Sequence, residues 1–408
     1  MKCRHCGAEL SLPLVDLGMA PPSNAYLTVE ALQRPERRFP LRVLVCERCW
    51  LVQTEDFTDA DELFDADYAY FSGVSTSWLA HAERYVADMI ARFGLHARSR
   101  VVEVAANDGY LLQYVKARGI PCTGVEPTAS TAAAARAKGI EIVQDFFGRR
   151  LAEAMAGRGL QADLMSANNV LAHVPDINDF VAGFATLLKP GGVATFEFPH
   201  LLRLMAEAQF DTIYHEHFSY LSLTAVRSVF ERVGLQVFDV QEWPTHGGSL
   251  RVFAQRTDAA AHAVTPAVGQ MLGRETEAGV RTAAYYRGLQ PRAERIRDDL
   301  LKFLRQAKAE GRTVIAYGAA AKGNTLLNFA GVGPELLRCV VDLNPAKQGK
   351  FMPGSRIPIV GRDELIARRP DDLLILPWNL IAEIREQHEG LARLGTRFVV
   401  AVPRLVTA

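Results

Sequence analysis

The stretch Val101-Val102-Glu103-Val104-Ala105-Ala106-Asn107-Asp108-Gly109 decides the fold. Its first four residues form a short, mostly apolar run of the kind buried in a parallel sheet, and the small and turn-forming residues after them lead into a helical pattern over 110–117. A strand, a tight turn and a helix in that order bring a small ligand close to backbone N–H groups. Further strand-like runs lie at 122–125, 140–143, 163–166 and 193–198, with helical segments at 129–138 and 177–188 between them and a helix-like segment at 78–93 before them. This alternation predicts a doubly wound α/β domain. The runs 236–242 and 250–255 lie too close together for a helical crossover, so they are expected to pair antiparallel and complete a seven-stranded Rossmann-like sheet.

The α/β pattern starts again further on. Residues 313–317, 338–341, 373–376 and 398–402 read as strands of a second, smaller open sheet. Between the two units, 259–310 is rich in Ala, Arg and Glu with helical periodicity, which suits a connector. The chain begins with short strands and turns around Cys3-x-x-Cys6 and Cys46-x-x-Cys49, which use four of the six cysteines. Each pair places two thiolates on one turn, and two such turns supply the sulfurs of a closed tetrahedral zinc site. A closed site is structural and sends the search for chemistry elsewhere; two disulfides are the alternative. Cys122 and Cys339 are lone thiols in apolar runs and read as core. The expected organisation is a zinc-binding domain over 1–75, a cofactor-binding domain over 76–258, a helical connector over 259–310 and a C-terminal Rossmann-like domain over 311–408.

Lys and Arg together number 46, as do Asp and Glu, and no long run of one sign occurs, so no nucleic-acid footprint is visible. Hydrophobic residues make up 49% of 408, enough for two or three cores. No apolar stretch reaches the roughly 18 residues needed to span a bilayer. Met1-Lys2-Cys3-Arg4-His5 opens without a hydrophobic leader, so a cytoplasmic location is expected, where reduced thiols stay available to zinc.

The turn at 105–109 carries a single glycine, and Glu103 and Asp108 place carboxylates where a pyrophosphate would be repelled. A ligand with amine, carboxylate and ribose groups, such as S-adenosylmethionine, fits that charge better than NAD. Glu126 ends the next strand, near the ~20-residue offset at which an acid holds ribose hydroxyls. Asp145-Phe146-Phe147 follows the third strand and could frame an adenine. Asn168 and Asn169 either contact the cofactor or shape their strand end, and Glu197 is either a site residue or a cap. Asn107 and Gly109 complete the turn. Ordinary strand-end caps are the bland reading of all of these. In the second unit, Tyr317-Gly318-Ala319-Ala320-Ala321-Lys322-Gly323-Asn324 follows a strand and opens a helix, with Lys322 placed to meet a phosphate. Asp342 ends the following strand and Trp378-Asn379 follows a later one. A nucleotide-sugar diphosphate suits this positive turn; a dinucleotide oxidoreductase or a plain scaffold are the alternatives.

Taken in order, the cysteine pairs, the turn 103–109, Asn168-Asn169-Val170-Leu171-Ala172-His173, Tyr214-His215-Glu216-His217-Phe218, Thr245-His246-Gly247-Gly248-Ser249-Leu250-Arg251 and the segment 317–324 resemble the sugar C-methyltransferase family over essentially the whole chain. That family acts on nucleotide-linked 4-keto-6-deoxy sugars and combines a zinc unit, an S-adenosylmethionine domain and a Rossmann-like C-terminal domain. The resemblance implies methyl transfer to a carbon beside a ketone, C-3 favoured over C-5, through an enolate. It implies His217 as the base with Glu216 and Tyr214 beside it, His173 at the keto-sugar and Tyr70 reaching in from the zinc unit. It also implies a sugar-nucleotide role for the C-terminal domain with Tyr317, Lys322, Asn324, Asp342, Trp378 and Asn379, joined by His215, His246, Gly247 and Gly248. Successive residues on a helix diverge by about 100°, so the four polar residues 214–217 face one ligand only if their segment is irregular. A plain hairpin also explains Gly247-Gly248. A metal-binding His-x-His pair, an O- or N-methyltransferase and a non-enzymatic sugar-nucleotide binder remain open alternatives. Each presumed site can be completed within one chain, which favours a monomer.

Overall fold

The computed structural model describes residues 1–55 and 71–407. In chain order, β1 (Leu12–Ala20), β2 (Phe39–Val45) and β3 (Val52–Thr54) belong to the N-terminal unit. The central unit contains β4 (Val101–Val104), β5 (Cys122–Val125), β6 (Glu141–Val143), β7 (Ala162–Asn168) and β8 (Leu188–Pro199). After these come β9 (Ser219–Tyr220), β10 (Leu235–Trp243) and β11 (Ser249–Arg256). The central sheet runs β10-β11-β8-β7-β4-β5-β6, and only β11 is reversed, pairing antiparallel with both β8 and β10. Strand order turns back at β4, which lies between β5 and β7, so the turn 105–109 sits at the switch point where open sheets bind ligands.

The N-terminal sheet is completed from elsewhere in the chain. Its order is β1-β2-β3-β9, and Val52 and Gln53 of β3 pair with Tyr220 and Ser219. β9 follows directly on the Tyr214–Phe218 cluster, so that cluster is tethered to the zinc unit's sheet. The two-residue strand is too short to leave a periodicity in the sequence.

The connector is three helices, Pro266–Ala278, Ala283–Tyr286 and Leu289–Ala309. The third buries Leu289, Ala293, Ile296, Leu300, Leu304 and Ala307, steps of three and four that keep one face inward. That face joins a single apolar core with Leu14 and Val43 of the N-terminal sheet and Val314 and Ala316 of the C-terminal one. The connector, which joins the central unit to the C-terminal one in sequence, therefore also binds the two outer units together. The C-terminal sheet contains β12 (Val314–Tyr317), β13 (Val340–Val341), β14 (Ile359–Val360), β15 (Asp372–Ile375), β16 (Arg397–Val400) and β17 (Val406–Thr407), in the order β14-β13-β12-β15-β16-β17. All its pairings are parallel except β16 with β17. No described helix is long and apolar enough to cross a membrane.

Candidate active site

The Sγ atoms of Cys3, Cys6, Cys46 and Cys49 all lie within 4.8 Å of one another. A tetrahedron of sulfurs about 2.3 Å from a zinc ion has edges of about 3.8 Å, so the four thiols fit that ion. Cys3 to Cys49 and Cys6 to Cys46 are both 3.5 Å apart, well beyond the roughly 2.05 Å of a disulfide. The hydrogen bond shared with Cys49, opposed by burial and aided by Gln53 and nearby backbone, holds the Cys3 thiol below its ordinary value and raises that of Cys49. The residues between the first pair reach outward. Arg4 donates to the carbonyls of Pro175 at 3.1 Å and Thr54 at 3.0 Å, and its guanidinium lies 5.2 Å from the Phe218 ring centre. His5 bonds Asn178 at 2.7 Å and Ser228 at 3.0 Å on two helices of the central unit.

At the central switch point, Ala105, Asn107 and Gly109 take positive φ values of 54°, 49° and 74°. Gly109 is required twice over, since a Cβ there would also lie 2.3 Å from Ile140 Cδ1. Glu126 braces the turn by accepting from the N–H of Asn107 at 2.9 Å and from Thr128 and Thr131 at 3.0 Å. Asn107 accepts from Ser72 N–H at 2.9 Å, and Asp108 accepts from Gly73 N–H at 3.2 Å while pairing with Lys138. The segment before the first helix thus lies on the turn. Tyr70, immediately before it, lies outside the described residues. Glu103 is fully buried beside Tyr110, and burial pushes its carboxyl well above the usual range. The Tyr110 hydroxyl bears on both Glu103 and Asn168, yet the Glu103 oxygens and Asn168 Oδ1 make no hydrogen bond of good geometry among the described residues. Buried acceptors left in this state match a ligand that brings donors, as the amine of S-adenosylmethionine does. Asp145 pairs instead with exposed Arg150 at 2.9 Å, and Phe146 is 52% exposed at the rim.

The segment 214–218 is irregular, and its four polar side chains diverge. His215 points at the Pro40 carbonyl, 3.2 Å away, with its ring edge-on to Phe39; it does not join the other histidines. Glu216 receives Asn24 Nδ2 on both oxygens at 2.9 and 2.8 Å, and burial raises it to about 7. Tyr214 and His217 do come together, with ring centres 4.0 Å apart, and the His173 ring meets His217 edge-on at 4.5 Å. Nδ1 of His217 lies 2.8 Å from the Thr212 carbonyl. A carbonyl oxygen only accepts, so Nδ1 carries the proton and Nε2 carries the lone pair. Burial first, then neighbouring His173, His246 and Lys322, hold His217 well below its usual value and therefore neutral. Burial likewise lowers His173 and His246 to about 4.

Three consecutive residues before the cluster each hold one wall of the site. Asp211 accepts from Trp378 Nε1 at 2.7 Å, the Thr212 carbonyl fixes His217, and the Ile213 carbonyl accepts from Thr325 at 2.7 Å. Trp378 packs so tightly on Gly247 that a Cβ there would lie 2.4 Å from Cη2, and Gly247 and Gly248 have φ of 91° and 116°. His246, also at positive φ, accepts from Asn169 Nδ2 at 2.9 Å. Lys322 Nζ donates to Asn379 at 2.7 Å and lies 4.7 Å from the centre of the Trp378 ring. Behind this wall, fully buried Glu197 accepts from His81 at 2.9 Å, Thr245 at 3.0 Å and Arg251 at 2.6 Å. Trp78 stacks on His81 at 5.0 Å and meets His246 edge-on at 5.2 Å.

Trp378 thus abuts Gly247 beside His246, with Lys322 over its ring and Asn379 holding Lys322, whereas the other C-terminal candidates make their contacts elsewhere. Asp342 is occupied in its own loop, accepting from the N–H groups of Ala319 and Asn344 at 2.8 Å. The Ala319 carbonyl takes the hydroxyl of Tyr26 at 2.5 Å, and Gly318 abuts Pro377. Asn324 is buried against Asn328, and Tyr317 packs edge-on to His388. Asn24, Asp211 and Trp78 belong to no sequence motif, and only their contacts in the fold identify them.

Residues 3–64 match a family described as "Putative zinc binding domain", residues 78–240 one described as "Methyltransferase domain" and residues 244–403 one described as "C-methyltransferase C-terminal domain". The chain is 37% identical over 409 residues to C-methyltransferase NovU of Streptomyces niveus, covering 100% of this chain and 97% of that protein. A ubiquinone biosynthesis O-methyltransferase of Chelativorans sp. is 29% identical over 118 residues, covering 27% of this chain and 47% of that protein. Among solved structures, magnesium protoporphyrin IX methyltransferase from Synechocystis PCC 6803 with bound SAM aligns with a TM-score of 0.35 and 15% identity, over 45% of this chain and 82% of that one, too slight a likeness to carry an argument.

Proposed function

This chain belongs to the C-methyltransferase family and is an S-adenosylmethionine-dependent C-methyltransferase with a zinc-binding unit, and we propose that its acceptor is a nucleotide-linked 4-keto-6-deoxy sugar, methylated at C-3 in preference to C-5. The observation that carries this reading is the orientation of His217. Methylating carbon needs a carbanion equivalent, and a ketone acidifies the neighbouring C–H by spreading charge onto oxygen. A buried, neutral imidazole with its lone pair fixed on Nε2 suits the removal of such a proton.

Bound S-adenosylmethionine supplies an electrophilic methyl group. Glu103, Asn107, Asn168 and Glu126 would hold it, the first by its buried, unsatisfied acceptors and the last by the ribose. Tyr214 and His173 bracket the His217 ring and fix its plane, so the base meets the substrate in one orientation. Glu216, kept near neutrality by burial and held by Asn24, ties this cluster to the N-terminal unit. The C-terminal domain carries the nucleotide portion of the acceptor, and C-3 is favoured by family resemblance. Four free thiols at one site suit a reducing compartment such as the cytoplasm. One chain furnishes every group invoked, which suits a monomer.

Incubation with S-adenosylmethionine and a panel of nucleoside-diphosphate 4-keto-6-deoxyhexoses, read by product mass and NMR, tests the proposal. It expects one added methyl on a ring carbon beside the ketone; methylated oxygen or nitrogen overturns it.

A further inference from the structure

Among the described residues, Lys322 brings an ammonium group to the buried site, and its place in the reaction is open. We infer that Lys322 is the donor that stabilises the enolate oxygen of the acceptor, and not a contact to its diphosphate; this rests on the enolate reading above.

The helix Ala321–Ala330 carries Lys322 one residue inside its N-terminus, where a phosphate-binding turn would aim a lysine along its own loop. Here the side chain instead lies over the Trp378 ring at 4.7 Å and donates to Asn379 at 2.7 Å. Trp378 is pinned from two sides that both belong to the histidine site. Its indole N–H is held by Asp211, next to the Thr212 carbonyl that fixes His217, and its ring is against Gly247, next to His246. Lys322 is therefore lodged among the groups that surround the base. Its charge acts on His217 and His246 and is answered by Asp211, whose Oδ1 is buried with no hydrogen-bond partner among the described residues. One loop N–H that a diphosphate could otherwise use, that of Ala319, is committed to Asp342.

In the step this serves, the C–H bond beside the ketone breaks, the proton goes to His217 Nε2, and the electron pair moves onto the carbonyl oxygen. That oxygen gains negative charge and takes a hydrogen bond from Lys322 Nζ. An ammonium is more useful there than at the ground-state ketone, because the hydrogen bond strengthens as charge develops. Asp211 and Asn379 keep the ammonium oriented before the substrate arrives.

The test omits S-adenosylmethionine. Wild type, Lys322→Gln and Lys322→Arg are each incubated in deuterium oxide with a panel of nucleoside-diphosphate 4-keto-6-deoxyhexoses, and wash-out of the α-hydrogen is followed by NMR. Binding of the corresponding nucleoside diphosphates is measured by calorimetry on the same preparations. We expect Lys322→Gln to slow exchange by about 100-fold or more, Lys322→Arg to restore part of it, and nucleoside diphosphate affinity to change by less than about threefold. Losing the Lys322 charge should also move the acid limb of exchange upward, because His217 would keep only His173, His246 and burial to depress it. Wild-type exchange rates in Lys322→Gln together with weakened nucleotide binding would assign the lysine to the diphosphate and overturn the inference. Absence of exchange by wild type with every sugar overturns the enolate reading itself, and the inference with it.

Discussion

The Nδ1–H of His217 donates to the Thr212 carbonyl at 2.8 Å, which leaves Nε2 as the unprotonated nitrogen of a buried ring. If that nitrogen is the base, His217→Gln keeps much of the shape and loses the function. Proton abstraction should fall by about 10² to 10⁴, read as loss of α-hydrogen exchange in deuterium oxide, while S-adenosylmethionine binding by calorimetry stays near wild type. Exchange at the wild-type rate would remove His217 from the role.

Arg4 connects the metal site to the chemistry. It lies between Cys3 and Cys6, and it holds the carbonyl of Pro175, two residues from His173, and faces Phe218, next to His217. Removing zinc with a chelator, or replacing Cys3 by Ser, should lower the melting temperature and raise KM for the sugar nucleotide. Isolated S-adenosylmethionine binding should persist, because its turn is braced from within the central unit by Glu126, and among the described residues the segment 1–75 touches it only through Ser72 and Gly73, at its far end from the cysteines in sequence. Loss of cofactor binding before any effect on the sugar would contradict this coupling.

Glu216 gives the fold a pH dependence of known sign. Burial raises its carboxyl from an ordinary 4.5 to about 7, so the folded state holds a proton that the unfolded chain releases. The stabilising contribution is complete below pH 4.5 and is lost as pH rises through about 7. Relative to Glu216→Gln, wild type should lose stability across that window, by on the order of 3 kcal/mol at most. Urea unfolding at several pH values measures it, and parallel curves for the two proteins would refute it.

How far the sequence could be read follows from which contacts are local. The strand runs, the turn from Glu103 to Gly109 and the paired cysteines are short-range patterns, and each lies in the fold where its spacing placed it. The divergence of His215 toward Pro40 and of Glu216 toward Asn24 is set by a sheet closed across the chain, through the pairing of β3 with β9. Nothing near 215 announces that pairing. Asp211 is similarly silent in sequence, because its meaning comes from Trp378, 167 residues away. Lys322 was legible as a charged residue opening a helix, but its direction depends on Trp378 and Asn379.

Behind the site, Glu197 tests how much the buried polar wall contributes to stability. Burial would raise it, yet His81 and Arg251 outweigh that and hold it at about 2. The contribution is therefore present above its ordinary value of 4.5 and is lost as pH falls through about 2. Glu197→Ala leaves Arg251 buried without its counter-charge and should cost about 3–5 kcal/mol, with Glu197→Gln costing less. Denaturant unfolding near neutral pH reads both, and a change below about 1 kcal/mol for the alanine variant would show that the wall relaxes around the loss.

The proposed reaction delivers the methyl group to carbon through an enolate. It is tested most directly with S-adenosylmethionine carrying a ¹³C-methyl group, a 4-keto-6-deoxy sugar nucleotide that the enzyme turns over, and deuterium oxide as solvent. The expected product carries a labelled methyl bonded to the ring carbon beside the ketone, with the α-hydrogen released to solvent. A labelled methyl on oxygen or nitrogen, with the α-hydrogen retained, would contradict it.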